Sequence, residues 1–149
     1  MSDYQTIYTT TAINTGGRNG VSYIDDGSYE VKVASPTAAN KPENTTNPEQ
    51  LFAMGYSACF NSALEGVMAQ EGVKGRSQVS VTVNLLNNKG TALDVKLSAA
   101  ITVAIEGQTS IQAQELAEKA HTICPYSRAT LNNMQVSVRG AKFDDSQVK

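Results

Sequence analysis

The chain has 149 residues, 40% of them hydrophobic, the size and composition of one domain with a packed core. Its formal net charge is -2, and no cluster of lysine and arginine marks a surface for nucleic acid or for an anionic membrane. No apolar run is long enough to cross a bilayer, and the start, MSDYQTIYTT, lacks the charge and apolar stretch of a secretory signal, so a cytoplasmic protein is expected.

The opening YQTIYTTTAI is rich in β-branched and aromatic residues and predicts a strand. NTGGRNG is a glycine-rich turn. VSYI and SYEVKVA follow as two strands joined by Asp25-Asp26-Gly27, which predicts a three-stranded meander over residues 4–35. SPTAANKPENTT is polar and contains proline, as a surface loop does. Asn47-Pro48-Glu49-Gln50 then reads as a helix start: Asn47 as N-cap, Pro48 at the first helical position, Glu49 in the first turn, Gln50 at the capping-box position. The predicted helix covers 48–70. Its apolar residues, from Leu51 and Phe52 through Cys59 and Phe60 to Met68, lie on nearly all faces. Such a helix wants cover on every side, from its own sheet and from another subunit.

QVSVTVNLL and LDVKLSAAITVAIE alternate with period two, and Asn87-Asn88-Lys89-Gly90 turns between them. This predicts an antiparallel hairpin over 77–106 with one wet face. A second helix is expected over 110–124, with Ala113, Leu116, Ala117, Ala120 and Cys124 on its apolar stripe and Pro125 ending or kinking it. A last strand is expected over 134–139, and then a frayed tail, FDDSQVK. The order βββ-α-ββ-α-β makes the chain α+β, a single domain whose helices need cover from antiparallel sheet.

Two cysteines, Cys59 and Cys124, lie on the apolar faces of the two long helices. Each by itself is a typical small core residue. If the helices pack together, the two thiols face each other and form a candidate dithiol/disulfide couple. A reactive thiol needs a positive group beside it. Arg18, in GGRNG, is a candidate, against the plainer reading of a solvated turn arginine. Glu49 already serves as a first-turn carboxylate, but it is also a bidentate partner for Arg18 if that side chain turns inward. His121 and Cys124 form H-x-x-C, and with Cys59 they would make a three-ligand zinc set. No CxxC and no second histidine support this, so no metal is expected. Neither a Ser-His-Asp motif nor a phosphate-cradling loop is present.

GGRNG, NPEQLFAMGYSACF and AHTICPYSRAT, taken together, resemble the three signature segments of the organic hydroperoxide resistance proteins, within the superfamily named for osmotically inducible protein C (OsmC). The resemblance covers essentially the whole chain. It implies the OsmC-like fold, with antiparallel sheets wrapped around two long central helices, as an intertwined homodimer. It also implies a thiol peroxidase that reduces organic hydroperoxides to alcohols. Cys59 would be the peroxidatic cysteine and Cys124 the resolving one, with Arg18 activating the thiolate and Glu49 orienting Arg18. No bound cofactor is implied; the electrons would come from the dihydrolipoyl group of a lipoylated protein. Phe52, Phe60, Tyr126 and the methionines are candidate apolar surroundings for a bulky substrate. The alternative on the same scaffold is a non-enzymatic redox sensor or a carrier of apolar ligands. One departure stands out: the loop KPENTTNPEQ lacks the glycines often found before NPEQ, while Arg128 stands where the family often has asparagine.

Glu49 and Cys59 are ten residues apart, about 15 Å along a straight helix. Either the helix breaks near Gly55, or Glu49 reaches the arginine beside the thiol from a partner subunit; the all-round apolar helix favours the partner.

Overall fold

A computed structural model describes residues 3–149. Two compact units are distinguished, one ending at Leu51 and one beginning at Phe52. The first unit holds a four-stranded sheet in the order β1 (Ala12–Thr15), β2 (Asn19–Ile24), β3 (Glu30–Ala34), β4 (Thr45–Thr46). The turn at Asp25-Asp26-Gly27 is present: Gly27 N–H donates to Ile24 O at 2.8 Å, and its φ of 76° suits glycine. The meander begins later than predicted. Residues 3–11 carry no regular structure and Ile7 is 90% exposed. β propensity by itself does not make a strand there; the ladder with β2 begins only at Ala12, with Asp25 N–H donating to Thr11 O at 3.0 Å just before it. The loop before the first helix also contributes a strand that its polar composition does not announce, β4, which pairs in parallel with β3.

The first helix, α1 (Pro48–Glu71), runs without a break through Gly55. At its N-terminus the Asn47 side chain accepts from Gln50 N–H at 2.9 Å and Pro48 needs no donor, while the Gln50 side chain accepts from the Thr46 hydroxyl at 3.0 Å instead of closing a capping box. Within the second unit this chain buries one stripe of it, Tyr56, Phe60, Leu64, Val67 and Met68, while Met54 is exposed. The all-round burial expected of this helix is therefore not reached within one chain. The stripe packs on a three-stranded sheet in the order β5 (Ser77–Asn87), β6 (Val95–Ile105), β7 (Gln135–Ala141). Val79 pairs with Val103 and Val81 with Ile101, so the predicted alternation does set the hairpin register. Ile101, Val103 and Ile105 are fully buried, whereas Leu93, at the turn, is exposed.

β7 lies parallel to β6, so the sheet is mixed rather than antiparallel. The helical crossover between them, α2 (Ser110–Ile123) and α3 (Pro125–Thr130), returns the chain to the end of the sheet where β6 began, which only a parallel strand can use. α2 starts at a full capping box between Thr109 and Gln112. It stops one residue before Cys124, which caps the end of α2 and the start of α3, because Pro125 cannot continue the ladder. The tail is held rather than frayed: Asp145–Gln147 form a 3-10 turn, Asp145 accepts from Arg76 Nη2 at 2.5 Å, and Gln78 Nε2 donates to Asp144 O. Among the described residues, no helix is long and apolar enough to cross a membrane.

Candidate active site

Arg18 sits in the turn between β1 and β2. Gly16 and Gly17 have φ of 89° and 59°, and a Cβ on Gly16 would meet Asn19 O at 2.9 Å, so the first of them admits no side chain. Asn14 clamps this turn: its Oδ1 accepts from Gly17 N–H and its Nδ2 donates to Gly17 O. The presented guanidinium meets Glu49 fork to fork, Nη1 to Oε2 at 2.8 Å and Nη2 to Oε1 at 2.6 Å. This hydrogen bonding holds the Glu49 carboxyl below its ordinary value and raises the Arg18 guanidinium. The two side chains are 43% and 16% exposed. Arg18 and Glu49 are thus one bidentate pair within the first unit of a single chain, whereas the sequence predicts that Glu49 reaches the arginine from a partner subunit.

In the second unit, Cys59 is half-buried on α1 and Cys124 is fully buried at the joint of α2 and α3. Both are free thiols, with their sulfurs 3.8 Å apart. Burial pushes the Cys59 thiol above its ordinary value; the Tyr126 backbone N–H opposes this by donating to the sulfur, and the neighbouring Cys124 adds to the rise.

Tyr126 joins this pair to a cavity of about 580 Å³ lined by Phe52, Leu97, Tyr126, Met134 and the polar Lys96 and Asn133, among others. Its volume suits a small organic molecule. Phe52 and Tyr126, both candidates from the sequence, line it with ring centroids 6.1 Å apart. Phe60 does not: it is fully buried in the core, packed on Tyr56 and His121. Helical periodicity places Phe60 on the same stripe as Tyr56 and Leu64, which belong to the core. Of the methionines, Met134 lines the cavity, Met68 is core, Met54 is exposed and Met1 lies outside the described residues.

His121 does not stand as a third ligand to the two sulfurs. Its Nδ1 lies 2.8 Å from Ser127 Oγ, and burial holds its pKa below the ordinary value. Among the described residues, no group of three or more histidine, cysteine, aspartate or glutamate side chains is placed to hold a metal ion. Nothing in the local sequence signals the partners of this histidine. Ser127 Oγ also lies 2.9 Å from the hydroxyl of Tyr56, a wholly buried residue that helical periodicity marks only as part of the apolar face of α1.

The sequence pattern described as OsmC-like protein matches residues 40–139. The chain belongs to the OsmC-like family. Within it, the chain is 41% identical over 140 residues to the organic hydroperoxide resistance protein OhrA of Bacillus subtilis, covering 93% of this chain and 99% of that one. It is 41% identical over 134 residues to the organic hydroperoxide resistance protein-like 2 of Staphylococcus epidermidis, covering 89% of this chain and 94% of that one. Among solved OsmC-like structures, the organic hydroperoxide resistance protein OhrB of Bacillus subtilis superposes with a TM-score of 0.81 at 35% identity, over 89% of this chain and 98% of that one. The α+β fold is that of these hydroperoxide resistance proteins.

Proposed function

We propose that this protein is a thiol-dependent peroxidase that reduces organic hydroperoxides to alcohols and so takes part in organic peroxide detoxification, as the names of its relatives suggest. The observation that carries the reading is the free Cys59–Cys124 pair, 3.8 Å between sulfurs, joined through Tyr126 to an apolar cavity. The Cys59 thiolate attacks the terminal peroxide oxygen; the O–O bond breaks, an alcohol leaves, and a sulfenic acid remains. The Cys124 thiol then attacks the sulfenic sulfur, forming the disulfide and releasing water. A dihydrolipoyl group of a lipoylated protein reopens it by dithiol exchange.

Burial by itself raises the Cys59 thiol; a guanidinium beside the sulfur lowers it and donates to the peroxide as charge develops. Glu49 holds Arg18 for that task. Because α1 is unbroken, Glu49 and Cys59 stand ten residues apart on one axis, about 15 Å. The Arg18–Glu49 pair serving each Cys59 is therefore that of a second copy, in a cytoplasmic homodimer.

Consumption of tert-butyl hydroperoxide and of hydrogen peroxide, each with dihydrolipoamide and with a thioredoxin-type reductant, tests this directly. Turnover should favour the organic peroxide and the lipoyl dithiol. Cys59→Ser should be inactive, and Cys124→Ser should undergo one oxidation and then stall. Full activity in Cys59→Ser, or equal rates with both peroxides, refutes the assignment.

A further inference from the structure

The two cysteines are carried by three helices, and one buried polar cluster ties all three together. Tyr56 lies one turn before Cys59 on α1, His121 one turn before Cys124 on α2, and Ser127 one turn after Cys124 on α3. Ser127 Oγ is the hub, 2.9 Å from the Tyr56 hydroxyl and 2.8 Å from His121 Nδ1. A serine hydroxyl has one proton and two lone pairs, so it can bond both neighbours at once. Thr130 closes the cluster: its hydroxyl donates to Ser127 O at 3.1 Å and lies 3.4 Å from the Tyr56 hydroxyl. Tyr56, Ser127 and Thr130 are all buried, and among the described residues no buried side-chain oxygen or nitrogen is left without a partner.

From this arrangement we infer that Tyr56, Ser127 and His121 are positioning residues for the cysteine pair: they lock the joint between α2 and α3 onto α1 and keep Cys124 within reach of Cys59. The joint needs such a lock. Cys124 is the only residue between the two helices: its N–H donates to Ala120 O and its C=O accepts from Arg128 N–H, both at 2.9 Å, while its ψ of 124° turns the chain from one helix axis to the other. A small turn about it moves the sulfur through ångströms. The sulfurs must close from 3.8 Å to the bonded distance of about 2.05 Å. A frame held by short buried hydrogen bonds leaves that approach to side-chain rotation and prevents the thiols from drifting apart, which raises their effective concentration.

A consequence for turnover rests on the peroxidase reading; the positioning itself does not. The Cys59 sulfenic acid has two fates. Attack by the Cys124 thiol gives the disulfide and water. Attack on a second hydroperoxide oxidises the sulfur to sulfinic acid and releases a second alcohol, a step that thiols do not reverse. A fixed Cys124 favours the first fate.

The test compares the wild-type protein with Ser127→Ala, Tyr56→Phe and the conservative Ser127→Thr. Each is equilibrated with a reduced/oxidised glutathione buffer, and the Cys59–Cys124 disulfide fraction is read by mass after alkylation. Ser127→Ala and Tyr56→Phe should each lower the equilibrium constant for disulfide formation about tenfold, a rise in reduction potential of about 30 mV. Ser127→Thr should stay within about twofold of wild type. Under tert-butyl hydroperoxide turnover, the first two should also accumulate Cys59 sulfinic acid about ten times faster per cycle. Tyr56→Phe removes one oxygen at constant shape and carries the test if Ser127→Ala fails to fold. Disulfide equilibria equal to wild type in the variants that fold, even with a lowered melting temperature, mean that the cluster only stabilises the fold, and overturn the inference. The tenfold shift in a protein that consumes no hydroperoxide upholds the positioning role while removing the peroxidase reading.

Discussion

Gly55 lies four residues before Cys59 on α1, and a Cβ there would meet the Tyr126 hydroxyl at 2.8 Å and its ring carbons at 3.4 Å. Gly55→Ala therefore sets two effects of known size against each other. Replacing glycine by alanine inside a helix stabilises by roughly 0.5–1 kcal/mol, because the unfolded chain loses freedom. Against it stands the overlap, a few tenths of an ångström with the far end of a side chain that is 39% exposed. Tyr126 stacks on Phe52 and Tyr56 at centroid distances of 6.1 and 5.6 Å, contacts worth about 0.5–1.5 kcal/mol each, and a small tilt keeps most of both. The propensity gain prevails, by about 0.5 kcal/mol. For a chain of 149 residues that raises the melting temperature by about 1–3 °C. Gly55→Val adds bulk and χ1 restriction that the tilt cannot absorb, so it should lose about 1–3 kcal/mol. Urea unfolding gives the free energies, and the rate of thiol labelling at Cys59 reports whether the Tyr126 backbone has moved off the sulfur. A loss above about 1 kcal/mol in Gly55→Ala would show that the ring cannot yield and would refute the reasoning.

Phe60→Ala removes a fully buried ring from the centre of the core and should cost about 3–5 kcal/mol in urea unfolding; a loss below about 1 kcal/mol would mean that the ring is not core. Glu49→Gln keeps one hydrogen bond to Arg18 and loses the charge pair. Because Arg18 is 43% exposed, the stability loss should stay near ~0.5–1 kcal/mol, while hydroperoxide turnover falls by at least an order of magnitude; unchanged turnover separates Glu49 from the chemistry. His121 has a depressed folded pKa, so the unfolded chain takes up its proton first. Stability should accordingly fall as pH drops below the unfolded value of about 6.5 and level off only beneath the folded pKa. His121→Asn should flatten that part of the urea-unfolding profile; an identical slope in both proteins counts against burial of the neutral ring.

Local chemistry makes much of this protein legible from its residues alone. Asn47-Pro48 starts a helix because a side-chain acceptor and a missing N–H suit its first turn, and α1 does start there. The alternation of QVSVTVNLL and LDVKLSAAITVAIE places Val79, Val81, Ile101 and Val103 on one face, because successive strand residues point to opposite sides. The pairing of Arg18 with Glu49 is legible as the fit of a guanidinium fork to a carboxylate, although Arg18 stays 43% exposed and does not turn inward.

What composition and period leave open is decided by neighbours remote in sequence. YQTIYTTTAI has the residues of a strand, but a strand exists only where another backbone takes its hydrogen bonds, and over residues 3–11 this chain forms no regular structure. β7 runs parallel to β6 because the crossover dictates its direction, and its own residues do not. Phe60 and Phe52 look alike as letters on one helix; which meets the core and which the cavity depends on the sheet packed beneath α1. Tyr56 reads as one more apolar residue until its hydroxyl meets Ser127, 71 positions along the chain. Propensity and capping act over a few neighbouring residues and can be summed along the chain, whereas a buried hydrogen bond or a 3.8 Å sulfur contact depends on how whole elements pack, which no local window contains.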